Sequence, residues 1–236
     1  MDTLRRQFAE KGYVVIETDV DPEICERIKE SLAPQFAVER RIMNYWKHNS
    51  DVRTIALDLK VFEILRHLYR ANPRPFQTLN FDCGTEQGLH SDAMHFNSDP
   101  PGMMCGVWVA LEDVTERNGP LLYCPGSHRL PFYCWSDTGL ATESRPDLRS
   151  GAYSDWIIEK TASLVQETAL LSRGEAMVWA ANLLHGGSRI LDPGSSRWSQ
   201  VTHYFFEGTE RFVTPLLDCS RQPEWIPGWV TGWVTG

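Results

Sequence analysis

Met103-Met104-Cys105-Gly106-Val107-Trp108-Val109-Ala110-Leu111 is an unbroken apolar run lying between two turn clusters, Asp99-Pro100-Pro101-Gly102 and Asn118-Gly119-Pro120. Its length, its β-branched and aromatic content and its flanking breakers make it a strand. The same rhythm continues outward. Downstream, Leu121–Cys124 runs into Pro125-Gly126-Ser127, and Ala176–Ala180 and Arg197–Phe206 flank the turn at Asp192-Pro193-Gly194. Upstream lie Phe76–Phe81 and Gln87–Asp92. Many short strands separated by Gly/Pro turns predict a mostly-β fold, a double-sheet jelly roll with flanking helices.

The first seventy residues follow a different period. Leu4 and Phe8 share a helix face that Gly12 ends, and Tyr13-Val14-Val15-Ile16 follows as a buried strand. Asp21-Pro22 has the chemistry of an N-cap and first helical position, after which Cys25, Ile28 and Leu32 recur at helical spacing. Val61, Ile64, Leu65 and Leu68 mark another helix, stopped before Pro73. The chain therefore divides into a helical buttress (1–72), a jelly-roll core (73–207) and a C-terminal tail (208–236), all within one domain spanning 1–236. The stretch 130–168 interrupts the strand rhythm and carries Phe132, Tyr133, Trp135, Tyr153 and Trp156. An aromatic insertion of this length is either a lid over a binding site, with Trp135 or Trp156 reaching the substrate, or a loop packed on the outside of the barrel.

Bulk properties exclude several classes of function. A chain of 236 residues with 42% hydrophobic and 23% charged residues can bury a full core. Its net charge of −8 leaves no basic footprint for nucleic acid. No apolar run reaches membrane-spanning length, so no membrane partner is expected. Six cysteines without a CxxC pair, behind an N-terminus that lacks an export core, read as reduced thiols in a cytoplasmic protein. The expected partner is a small molecule, bound by a monomer or homodimer.

His90-Ser91-Asp92 sets an imidazole and a carboxylate two residues apart. On a strand both would leave the same face, close enough to share one ion. Seven histidines and 31 acidic residues in 236 positions yield about one such triplet by chance, so context must decide. That context is His185 in Leu183-Leu184-His185-Gly186-Gly187-Ser188, where glycines would let the backbone approach a ligand. Two histidines and one carboxylate form a facial set with open positions, the usual arrangement of non-haem Fe(II) oxygenases. Arg197, twelve residues later, offers a forked cation for the carboxylate of a dicarboxylic cosubstrate.

Taken in order, these pieces resemble the phytanoyl-CoA dioxygenase family of Fe(II)/2-oxoglutarate oxygenases. The matching segments are Gly88-Leu89-His90-Ser91-Asp92, Gly106 to Asp113, Asn118-Gly119-Pro120-Leu121, Pro125-Gly126-Ser127-His128, His185-Gly186-Gly187 and Arg197. The resemblance covers roughly residues 75–207, and the Gly12-Tyr13-Val14-Val15 entry fits as well. It implies a cupin-like double-stranded β-helix, with His90, Asp92 and His185 as iron ligands and Arg197 on the far carboxylate of 2-oxoglutarate. Trp108 falls where the family often lines the cosubstrate pocket with tryptophan; a plain core aromatic is the alternative. The family's hydroxyl two residues after the second histidine is Gly187 here, with Ser188 next. Gln77, Thr78 and Asn80 compete for a polar cosubstrate contact on the preceding strand. His95, Asn97, His128, Trp179 and Asn182 are candidate pocket residues, by packing or by substrate contact.

The implied reaction uses Fe(II), 2-oxoglutarate and O2, with ascorbate as a candidate reductant, and oxidises a C–H bond, hydroxylation being the default outcome. Retention of Asp92 disfavours halogenation, because related halogenases replace that carboxylate with a small residue. A non-catalytic metal-binding jelly roll acting as a ligand sensor is the alternative, and Arg197 weighs against it, since a bare metal site needs no carboxylate clamp.

Overall fold

A computed structural model describes residues 1–133, 146–213 and 224–225. Helix α1 (Asp2–Lys11) ends at Gly12 and feeds β1 (Tyr13–Glu17). Helix α2 (Pro22–Leu32) starts on Asp21, whose side chain accepts the Glu23 N–H at 2.8 Å, with Pro22 in the first turn. Strand β2 (Ile42–Met43) precedes α3 (Ser50–Ala56) and α4 (Leu59–Tyr69). Asn49 and Asp58 cap these helices by accepting from the Val52 and Val61 N–H groups. Neither β2 nor α3 was anticipated, because two residues and two turns are too short for a hydrophobic period to show.

The remaining strands are β3 (Pro73–Phe81), β4 (Phe96–Asp99), β5 (Met104–Ala110), β6 (Leu121–Tyr123), β7 (Glu167–Ala169), β8 (Glu175–Ala180), β9 (His185–Gly187), β10 (Ser199–Phe206), β11 (Glu210–Val213) and β12 (Glu224–Trp225). Helix α5 (Pro146–Thr161) lies between β6 and β7. The main sheet has the order β1-β8-β5-β10-β3-β2, and two smaller sheets have the orders β7-β6-β9 and β12-β11-β4. Pairing is antiparallel throughout. This is the jelly roll predicted from the strand rhythm, with helices α1 to α4 on one side.

The two faces of the main sheet follow the period of two. Val14, Val107, Val109, Val178, Tyr204 and Phe206 point toward the helices and join Ile28, Leu32, Val52, Ile55 and Leu65 in one core. Each fully buried aliphatic side chain in that core is worth roughly 1.5–3 kcal/mol. Leu79, Trp108, Met177, Trp179 and Val201 point the other way, toward Leu121 and Tyr123 of the small sheet. The space between the two sheets holds the site.

Two expectations need correction. Gln87–Asp92 is not a strand: His90 makes an isolated bridge to His185, and Asp92 opens a 3-10 turn, Asp92–Met94. Arg197 precedes β10 rather than opening it. Within 130–168, residues 130–133 and 146–168 are described, and there helix α5 is followed by β7, which pairs with β6. The tail also contributes strands, since β11 pairs with β4 and β12 with β11. Among the described cysteines Cys25, Cys105 and Cys124 are buried free thiols and Cys83 is exposed; Cys134 and Cys219 lie outside the described residues. No helix of the described residues is long and apolar enough to cross a membrane.

Candidate functional site

Two backbone hydrogen bonds join the histidines: His90 N–H to His185 O and His185 N–H to His90 O, each 2.9 Å. This exchange brings the rings to 4.5 Å between centroids, tilted at 47° to each other. Each ring is then turned by its own chain, because His90 Nδ1 lies 3.0 Å from Gly88 O and His185 Nδ1 lies 2.9 Å from Leu183 O. A carbonyl can only accept, so both Nδ1 atoms carry the proton and each neutral ring keeps its lone pair on Nε2; that of His90 lies 3.4 Å from Gln87 Nε2. The 3-10 turn places Asp92 opposite them and is tied down by the Ala93 N–H to Ala181 O at 2.9 Å. Ser91 N–H donates to the Tyr153 hydroxyl of α5 at 2.9 Å, so the insertion braces this turn.

Asp92 Oδ1 is 3.7 Å from His185 Nε2, and one donor atom from each of His90, Asp92 and His185 lies within 4.8 Å of the others. Burial opposes ionisation of Asp92, but His185 and His203 outweigh it and hold the carboxyl well below its usual range. Desolvation and the neighbouring His185 push His90 down to about 4. Near neutrality the trio therefore presents an anionic oxygen and a neutral His90 imidazole, and it could hold a metal ion.

The cavity at this trio has a volume of about 520 Å³, in the range of small-molecule sites. Gln77, Trp108, Trp179 and Arg197 line it, together with apolar Leu79 and Val201. Arg197 is 4% exposed, and burial pulls its guanidinium down to about 10. It donates from Nη2 to Cys83 O at 3.0 Å and sits 5.2 Å over the Trp108 ring, but its Nε has no partner. No carboxylate forms an ion pair with it among the described residues. A buried cation in that state calls for an anion.

The other candidates separate by face. On β3, Gln77 reaches the cavity, whereas Asn80 is fully buried on the helix side with its amide on Gln200 Oε1 at 3.3 Å. Thr78 is likewise fully buried and does not line the cavity. Ser188 does not line the cavity either; its N–H donates to Pro120 O. Asn182 ties the following turn, donating to His128 O at 3.3 Å and Leu130 O at 2.7 Å. His128 itself sits against Ala9 O. His95 lines the cavity, and Asn97 lies on β4 opposite Phe212. Trp156 stacks with Tyr153, meets Tyr133 edge to face and does not line the cavity, and Trp135 lies outside the described residues.

Gly186 lines the cavity, and both Gly186 and Gly187 also let a neighbouring stretch of backbone pass close by. A Cβ on either would fall 2.6 Å from Gln87 O or 2.7 Å from Glu86 N, so they admit the backbone that carries His90. His203 was missed altogether. It is 3% exposed, lines the cavity and brings Nε2 to 3.4 Å from Asp92 Oδ2. Counting in twos from Arg197 through Ser199 and Val201 reaches it, so the strand period held that signal.

Comparison with known proteins agrees with this geometry. The sequence model of the phytanoyl-CoA dioxygenase (PhyH) family matches residues 49–197. The chain is 30% identical to phytanoyl-CoA dioxygenase domain-containing protein 1 of Mus musculus over 83% of its own length and 67% of that protein's. The Danio rerio protein of the same name is 40% identical over 29% of this chain, a match spanning only 25% of that relative. Among solved structures, the non-haem α-ketoglutarate-dependent carbocyclase SnoK superposes with a TM-score of 0.72 at 15% identity, covering 97% of this chain and 94% of that one. EctD from S. alaskensis with 2-oxoglutarate and 5-hydroxyectoine gives 0.71 at 18% identity, covering 98% and 86%. The epimerase SnoN, solved with Fe3+, α-ketoglutarate and nogalamycin RO, gives 0.70 at 19%, covering 96% and 95%. These structural likenesses describe the fold, while the sequence match carries the family. The chain belongs to the phytanoyl-CoA dioxygenase family.

Proposed function

We propose that the protein is an Fe(II)- and 2-oxoglutarate-dependent oxygenase that oxidises a C–H bond of a small molecule, with hydroxylation as the outcome. The observation that carries this reading is Arg197, a buried guanidinium with an unpartnered Nε in the same cavity as the two-histidine, one-carboxylate trio. A metal-binding ligand sensor would have no need of that second, anion-seeking feature.

His90, Asp92 and His185 fit iron by donor type, by their shared approach and by rings whose Nδ1 atoms are engaged with backbone carbonyls. Bound there with 2-oxoglutarate and O2, iron supplies the oxidation that converts R–H to R–OH as 2-oxoglutarate becomes succinate and CO2. Arg197 then receives the far carboxylate of 2-oxoglutarate, its guanidinium carbon standing over the Trp108 ring. Gln77 offers the one polar contact that β3 sends into the cavity. Leu79, Val201 and Trp108 wall that space with apolar surface, which excludes water and holds the target bond in place.

The test is anaerobic loading with Fe(II), followed by O2, ascorbate and 2-oxoglutarate, with succinate measured against a chelated control. Succinate that depends on both iron and O2 supports the proposal, and none across a broad metabolite panel would remove the oxygenase reading in favour of the sensor.

A further inference from the structure

Asp92 is held by one of its two oxygens. The Trp179 indole N–H donates to Oδ2 at 2.7 Å, and His203 Nε2 lies 3.4 Å from the same atom. His185 Nε2 approaches Oδ1 instead. The His203 ring is fixed at its other end, where Nδ1 lies 3.0 Å from Gln77 Oε1. As placed, the Gln77 amide faces Nδ1 with its oxygen and directs its NH2 to Met43 Sδ at 3.8 Å; turned over, its NH2 meets Nδ1 and the neutral ring directs an Nε2–H at Asp92.

The backbone is built around this contact. Gly106 of β5 stands opposite Trp179 of β8, and a Cβ at Gly106 would fall 2.4 Å from Trp179 Cε2. A glycine in the middle of a fully buried strand costs stability, but it clears the space through which the indole edge reaches Asp92. Four strands thus converge on a single carboxylate oxygen: β5 gives the space, β8 the indole, β10 the imidazole and β3 its anchor.

We infer that Gly106, Trp179, His203 and Gln77 form a clamp that withholds Asp92 Oδ2 and leaves only Oδ1 for the metal. The inference rests on the reading that His90, Asp92 and His185 hold that metal. Trp179, a candidate substrate contact from sequence, becomes a positioning residue, as does His203. The clamp fixes the carboxylate before any metal arrives and stops its second oxygen from occupying a position that cosubstrate or O2 needs. Partners of metal ligands commonly set affinity by roughly 10–100-fold.

The test uses Co(II) as the probe, with calorimetric affinity and the visible absorption spectrum as readouts, so no turnover is needed. Trp179→Phe keeps the ring and removes the N–H; His203→Leu removes the donor, and His203→Gln restores an N–H near the Nε2 position. Roughly 10–100-fold weaker binding with an altered spectrum is expected for Trp179→Phe and His203→Leu, and near wild-type behaviour for His203→Gln. Gly106→Ala, which touches no donor, is expected to weaken binding by displacing the indole. Unchanged affinity and spectrum in Trp179→Phe overturns the clamp, and so does a His203→Gln protein as weak as His203→Leu, which would reduce His203 to packing. If His203→Leu does not fold, Trp179→Phe decides alone. Failure of the wild-type protein to bind Co(II) is a separate result, overturning the metal site itself and the clamp with it.

Discussion

Burying a guanidinium without an anion costs stability, and Arg197 does so with its Nε unpartnered. A structural arginine would be expected to carry an ion pair at that depth, so its state in the free protein separates function from packing. Arg197→Met is expected to melt at the same or a higher temperature than wild type while losing 2-oxoglutarate binding. A lower melting temperature with binding intact would make Arg197 structural. Arg197→Lys keeps the charge but not the fork, and the KM for 2-oxoglutarate is expected to rise about 10-fold or more, as loss of a charge-assisted hydrogen bond implies. His185→Ala removes one of three donors, and a folded protein with iron occupancy close to zero is expected, measured by metal analysis after gel filtration.

The strands made most of the fold legible and also hid part of the site. Met103–Leu111 and its turn clusters were read as they stand, because a long apolar run between Gly/Pro breakers has few other solutions. The His90 segment was misread as a strand: the triplet spacing suggested a shared face, whereas a bridge and a 3-10 turn produce the juxtaposition. Gln77 and Asn80 could have been told apart by the period of two, and His203 found by it, had Arg197 been taken as the phase marker. Helix α5 was legible in the spacing of Tyr153, Trp156 and Ile157, which recur as one helical stripe and cluster with Leu184 and Met94. Its tie to the metal turn gives a further test: Tyr153→Phe leaves the buried Ser91 N–H without an acceptor, which is expected to cost about 1–3 kcal/mol in denaturant unfolding. Unfolding at the wild-type midpoint would detach α5 from the site. Gly187→Ala, whose Cβ would meet the Glu86 backbone, is expected to destabilise and to loosen His90 together.

As a whole, the molecule is a jelly roll whose main sheet turns one face to the helices and the other to the cavity, so β2, β3, β5, β8 and β10 alternate between stability and function. The metal couples the two. A ligand present at a hundred times its Kd adds about 2.7 kcal/mol, so Fe(II) or Mn(II) under anaerobic conditions is expected to raise the melting temperature by roughly 5–10 °C for a chain of this size. The central claim is that this trio and Arg197 together bind 2-oxoglutarate. Anaerobic titration calorimetry of 2-oxoglutarate into iron-loaded protein, metal-free protein and the Arg197→Met variant tests it without knowledge of the substrate. Binding to the iron-loaded wild type alone, lost on chelation and lost in Arg197→Met, is the expected result. Binding of equal strength with and without iron, or undiminished in Arg197→Met, would contradict the account.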